Sequence, residues 1–169
     1  ELKHLLSDHK KIIKDNRVRK LASLIRQKES LAATRFVGLN DSNVHFMGLP
    51  FYETGQIKKN KPGSADLKIM CDLIKLIKPH QIFAAGDLAD PHGTHKVCIE
   101  LLFDSLKKLK KLDFMNDCWV WLYRGAWHEW ESYEVDMAVP LSPEQVLKKR
   151  RAIFYPVSYT HLRAHETFG

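Results

Sequence analysis

The stretch Gln81-Ile-Phe-Ala-Ala-Gly86-Asp-Leu-Ala-Asp-Pro-His-Gly-Thr-His95 decides how the chain is read. Its first five residues form an apolar run that predicts a buried strand, and a helical pattern begins at Thr94. The strand-to-helix loop between them carries Asp87, Asp90 and His92, with His95 in the first helical turn. In open α/β sheets, ligands bind at this edge, outside the carboxyl ends of the strands. The positive end of a helix dipole disfavours imidazolium, so a metal ligand there would be held in its neutral form. An H-x-x-H pair alone reads as two partly exposed, hydrogen-bonded histidines before it reads as half a metal site. A tetrahedral zinc site needs further protein ligands from elsewhere in the chain.

The elements on either side are legible from apolar spacing and helix signals. Val18, Leu21, Leu24, Ile25 and Leu31 predict an amphipathic helix over 17–33, with a weaker helical candidate over 2–14. Gly38 and Asn40-Asp-Ser42 break the pattern, and Val44-His-Phe-Met47 reads as a short strand. Residues 51–63, rich in Lys and Gly, read as an exposed loop. Ser64 is the expected cap of a helix over 65–77, which Pro79 stops. After the strand at 81–85 come a helix over 95–110 and a second buried strand, Cys118-Trp-Val-Trp-Leu-Tyr123. Val135-Asp-Met-Ala-Val139 is a candidate edge strand. Ser142, Pro143 and Gln145 open a last helix as cap, first residue and capping-box partner. Strands alternating with helices predict an α/β fold with a Rossmann-like, mostly parallel sheet flanked by helices.

At 169 residues and 44% apolar content, the chain is long enough for one globular domain and too apolar for a disordered one. No apolar run approaches the roughly 20 residues needed to cross a bilayer. Cys71, Cys98 and Cys118 are odd in number, far apart and set in apolar surroundings, which suits reduced thiols filling a core in a cytoplasmic protein. The net charge is +7, and residues 1–30 carry nine Lys and Arg against four Asp and Glu. Without aromatic interleaving or a Gly-rich phosphate loop, this basic segment reads as a solvated helix face before it reads as a nucleic-acid surface.

Several segments resemble the PIG-L/LmbE-like family of zinc-dependent N-acetylglucosaminyl deacetylases: Ile25-Arg26-x-x-Glu29 with the alanine-rich turn after it, Val44-His-Phe-Met-Gly-Leu-Pro50, and the loop ending in His92-x-x-His95. More narrowly, Leu49 to Gly55, Lys78 to His95 and Tyr123 to Glu131 look like the C-terminal domain of bacterial glucosamine-6-phosphate deaminase fusion proteins. The resemblance covers about residues 15–155. It implies that His95 is a zinc ligand and that His92 stabilises the oxyanion or protonates the leaving amine. The remaining zinc ligands and the aspartate base would come from an early His-Pro-Asp-Asp motif, which does not occur here. Gly93 and Thr94 also replace the Pro and Asp of the family's usual His-Pro-Asp-His. Asp87 and Asp90 are candidates for the carboxylate that ligating histidines lean on. Asp90-Pro91 serves equally well as a turn, and Thr94 as a helix cap.

The implied chemistry is amide hydrolysis by a zinc-bound water, on an amino sugar or amino-sugar phosphate. Arg124 is then a candidate phosphate ligand, and Trp127 and Trp130 are candidate stacking partners for the sugar ring; a packed aromatic lid with an exposed arginine is the plainer reading of all three. His45 and His80 border strands and are read as structural. Neither a nucleic acid nor a membrane is an expected partner, while a homo-oligomer built through the longer parent protein is. A non-catalytic domain that binds sugar phosphate or serves the parent structurally, with no working zinc site, is the competing expectation.

The tail Val157 to Thr167 resembles the translation of a transposase-type sequencing adaptor. Residues 156–169 are therefore expected to be non-native, so that His161 and His165 are not a metal pair. Residues 1–155 are expected to be an N-terminally truncated deacetylase-like domain, inactive by itself and weak in binding zinc.

Overall fold

The computed structural model describes residues 15–52, 60–86, 93–124 and 129–156. They fall into two compact units, one comprising 47–138 and the other 1–46 with 139–169.

The first unit is built around a helix, a strand and a second helix that returns the chain to a parallel strand. Helix α1 of this unit's neighbour comes earlier in the chain and runs Asn16–Val37; the 47–138 unit begins with a 3-10 turn at Pro50–Tyr52 and helix α2 at Ser64–Ile77. Gly63, not Ser64, is the N-cap of α2, and Ser64 is already helical. The capping hydrogen bonds come instead from Asp66, whose carboxylate accepts from Gly63 N–H at 2.8 Å and Phe51 N–H at 3.0 Å. Lys78 ends the helix in a left-handed conformation (φ 47°), just before Pro79, which has no N–H to continue it.

Strand β1, Gln81–Ala85, follows, then helix α3 over Thr94–Leu109 and strand β2 over Trp119–Tyr123. The two strands are parallel, with Gln81 opposite Trp119 and Ala85 opposite Tyr123. A parallel pair needs a crossover, and α3 is that crossover. Side chains alternate between the faces of a strand. Ile82 and Ala84 therefore point one way, onto a core of Leu49, Phe51, Met70, Cys71, Ile74, Leu101, Leu102 and Leu109. Burying Phe51, only 2% exposed, contributes on the order of 2–3 kcal/mol. Ser105 is fully buried within α3 and donates its hydroxyl to Leu101 O at 2.8 Å.

The α/β expectation holds, and the strand at 81–85 has the bounds read from sequence. Among the described residues the sheet consists of β1 and β2, a smaller sheet than a Rossmann-like fold has. Neither strand is fully buried, in contrast to the expectation. Val44 to Met47 and Val135 to Val139 are not strands. Both segments have the right side chains but no strand to pair with among the described residues, and extended backbone becomes a strand only through inter-strand hydrogen bonds. The predicted helix over 2–14 lies outside the described residues.

In the second unit, Asp15 caps α1 by accepting from Arg17 N–H at 2.8 Å, and Gly38 (φ 105°) closes it. Helix α4, Pro143–Ile153, has the expected capping box: Ser142 Oγ accepts from Gln145 N–H, and Gln145 Oε1 from Ser142 N–H at 2.7 Å. α4 packs on α1, with Lys148 Nζ donating to Val37 O at 3.3 Å and the Phe36 and Tyr155 rings 5.1 Å apart. None of the described helices is long and apolar enough to cross a membrane. All three cysteines are free thiols. Cys71 is buried as core filler, whereas Cys98 and Cys118 are half-buried.

Candidate functional site

The carboxyl ends of β1 and β2 lie side by side because Ala85 and Tyr123 are in register. Gly86 extends the pairing by one bond, donating its N–H to Tyr123 O at 2.7 Å. It is buried, and a side chain there would collide: a Cβ would stand 2.9 Å from Leu122 Cβ and 3.4 Å from Trp130 Cζ2. Glycine at this strand end thus lets the Trp130 indole lie directly against the backbone.

On that indole sits Arg124. Its guanidinium carbon lies 3.6 Å from the ring centroid of Trp130, a close cation–π contact. Arg124 is the first residue after β2 and is half-buried. Stacking fixes the plane of the guanidinium and leaves its edge N–H groups for an anion, the geometry in which arginine binds phosphate or carboxylate.

His95 occupies the same edge of the sheet, in the first turn of α3. Gly93 precedes the helix in a left-handed conformation (φ 67°) as its N-cap residue. Thr94 lies inside the helix and makes no capping hydrogen bond, so the expected threonine cap is not formed. His95 lines a cavity of about 200 Å³ with Met70, Ala84, Ala85, Cys98, Ile99 and Leu102. Apart from the imidazole, the described lining residues are apolar. Burial pushes the Cys98 thiol above its usual range, so at neutral pH it is a protonated, poorly nucleophilic neighbour of His95.

The structure thus brings His95, Arg124 and Trp130 to one edge of the sheet. Asp87, Asp90, His92 and Trp127 lie outside the described residues. His45 and His80 are exposed, and His80 serves β2 through its backbone, accepting from Trp119 N–H at 2.8 Å. Sequence reading gave Gly86 no role and took Cys98 only as core filler. For Gly86 the available signal was a glycine at the end of an apolar strand. For Cys98 it was the i, i+3 spacing from His95. Among the described residues there is no group of three or more His, Cys, Asp and Glu side chains able to hold a metal. A zinc site needs three or four protein ligands, and His95 is the donor at this edge among the described residues.

The chain is similar to part of a glucosamine-6-phosphate deaminase-like protein. That relative, from Bacteroides thetaiotaomicron, is 46% identical over 156 residues, covering 90% of this chain. The chain spans about a quarter of the relative's length (24%). No protein-family model matches the chain, and no solved structure matches it.

Proposed function

We propose that the chain is the sugar-phosphate-binding part of a longer protein of amino-sugar metabolism, and that its ligand lies across the carboxyl ends of β1 and β2. The observation that carries this reading is the Arg124 guanidinium stacked on Trp130 at that edge. The name of the relative, a glucosamine-6-phosphate deaminase-like protein, supports the choice of an amino-sugar phosphate. In this role Arg124 binds the phosphate. Trp130 orients the guanidinium, and Gly86 gives Trp130 its seat. His95 approaches the sugar from the start of α3 as a hydrogen-bonding group.

The finer form of the proposal is a deacetylase-like domain in which His95 is a zinc ligand. Zinc, when bound, would supply a water acidic enough to attack an amide at neutral pH. The described residues contribute His95 alone to such a site. In this form His92 would stabilise the oxyanion or protonate the leaving amine, Asp87 or Asp90 would support the ligating histidine, and the remaining ligands and the base would come from a part of the longer protein not contained in this sequence.

Titration calorimetry of the chain with glucosamine 6-phosphate, N-acetylglucosamine 6-phosphate and unphosphorylated glucosamine tests the first form. Binding should require the phosphate and fall at least tenfold in Arg124→Gln. Equal affinity for glucosamine, or an unaffected R124Q, would refute it. Metal analysis after equilibration with zinc and desalting tests the finer form: a stoichiometric zinc lost in His95→Ala supports it, and its absence from a longer protein that includes the aligned region of the relative would remove it.

A further inference from the structure

The cavity beside His95 belongs to the ligand edge by position and to the core by lining. Its walls are Ala84 and Ala85 at the end of β1 and Cys98, one turn after His95 on α3; the buried Met70 and Leu102 reach it from the core. His95 and Cys98 are half-buried, so the cavity leads inward from the surface. Among the described lining residues His95 carries the strong hydrogen-bonding side chain, since a thiol is a weak donor and acceptor. The volume, about 200 Å³, exceeds the roughly 150 Å³ of an apolar cavity that accepts benzene. The ammonium of a free amino sugar would meet no counter-charge among these residues and would bear the desolvation cost of an unpaired ion. Each methylene buried there instead raises affinity about fourfold.

Resting on the sugar-phosphate reading of this edge, we propose that the cavity receives the aliphatic chain of an N-acyl group on the amino sugar, and that it selects acyl chains of about four to six carbons over acetyl. Position supports one ligand for both features. Ala85, in the cavity wall, is in register with Tyr123, and Arg124 follows Tyr123 directly. Neighbouring strands lie about 4.8 Å apart, so the cavity wall and the strand end that carries Arg124 are adjacent. In a hexosamine 6-phosphate, the phosphate arm and the amino nitrogen leave ring carbons that face each other across the pyranose. A ligand held by Arg124 can therefore turn its amide toward the mouth of the cavity at His95. Size sets the chain length: an acetyl methyl fills a small part of a space larger than benzene needs, whereas the longer chain extends to Met70 and Leu102.

The test is titration calorimetry of the full chain with glucosamine 6-phosphate and its N-acetyl, N-butanoyl and N-hexanoyl derivatives. Affinity should rise along the acyl series, with the N-hexanoyl ligand at least tenfold tighter than the N-acetyl one. A second readout needs no variant. Iodoacetamide alkylation of Cys98, followed by peptide mass spectrometry, should slow at least fivefold at saturating N-hexanoyl ligand and by much less at saturating glucosamine 6-phosphate. Equal or weaker binding of the N-hexanoyl ligand, or the same Cys98 alkylation rate with either ligand saturating, overturns the proposal. If phosphate binding that depends on Arg124 persists in that case, the sugar-phosphate reading stands and only the acyl cavity falls. Absence of binding by all four phosphates removes both.

Discussion

Asp66 shows how much one side chain can organise. It is 3% exposed, and its carboxylate joins Gly63, at the cap of α2, to Phe51, fifteen residues earlier. A carboxylate near a helix N-terminus is favoured by the dipole, and hydrogen bonds to charged groups contribute about 1.5–3 kcal/mol each. Asp66→Ala strands two backbone N–H groups and should cost about 3 kcal/mol in urea denaturation, while Asp66→Asn, which keeps one acceptor oxygen, should cost about half as much. Equal losses would mean that volume and not hydrogen bonding sets the effect. Gly86→Ala places a carbon 2.9 Å from Leu122 Cβ, backbone-proximal atoms that cannot swing away. Overpacking of this kind costs about 1–3 kcal/mol. It should also displace Trp130 from beneath Arg124, so a shift in tryptophan emission should accompany the lost stability. Sequence reading credited Ser64 with the capping that Asp66 performs, because the Phe51 partner is non-local and no spacing rule reports it.

Helices were far more legible than strands, for a physical reason. A helix satisfies its own backbone, so caps and apolar periodicity suffice: Ser142, Pro143 and Gln145 marked the start of α4 correctly, and α1 extends only a few residues beyond the expected 17–33. A strand depends on its neighbour, which is why Val44 to Met47 and Val135 to Val139 failed while 81–85 held. Helix α1 also makes a prediction about pH. Its cap Asp15 has a pKa lowered to about 2, chiefly by the side-chain hydrogen bond from Arg17, with the Arg17 backbone N–H adding to it. A depressed carboxylate gives stability that is fully present above the unfolded-state value near 3.8 and is lost as pH falls through the folded value of about 2. Carboxyl-detected NMR should place the Asp15 midpoint well below that of an unpaired aspartate. Arg17→Gln should move it back up, with fraying confined to the first turn. In the core, Leu102→Ala should cost about 2–5 kcal/mol, as buried leucine truncations do, measured by denaturant unfolding.

For the whole molecule, the apolar runs gave both strand ends, Ala85 and Tyr123, and so the sheet edge to which His95 and Arg124 belong. The stacking of Arg124 on Trp130, six residues apart with no helical or strand period between them, is not legible from apolar spacing. Charge is the other property that belongs to this scale. The net +7 is a property of composition that pairing does not reduce, since each pair takes one charge of either sign: Arg17 pairs with Asp15, Arg35 with Asp41, Lys68 with Asp72 and Lys107 with Asp104, all at the surface. Such exposed pairs contribute little to stability. They do, however, break the surface into small fields of alternating sign. The strongest remaining run is Lys148, Lys149, Arg150 and Arg151 on α4, and Lys148 already donates to Val37 O. A surface of this kind should attract polyanions only by counterion release. Binding to duplex DNA should therefore be no tighter than about 10⁻⁵ M near physiological salt and indifferent to sequence. Lys149→Gln with Arg150→Gln should lower the log–log salt slope by about 2, one for each lost phosphate contact. Fluorescence anisotropy across a salt series measures both quantities. Nanomolar, sequence-selective binding at that ionic strength would instead make the basic helices a nucleic-acid interface and displace the sugar-phosphate reading from first place.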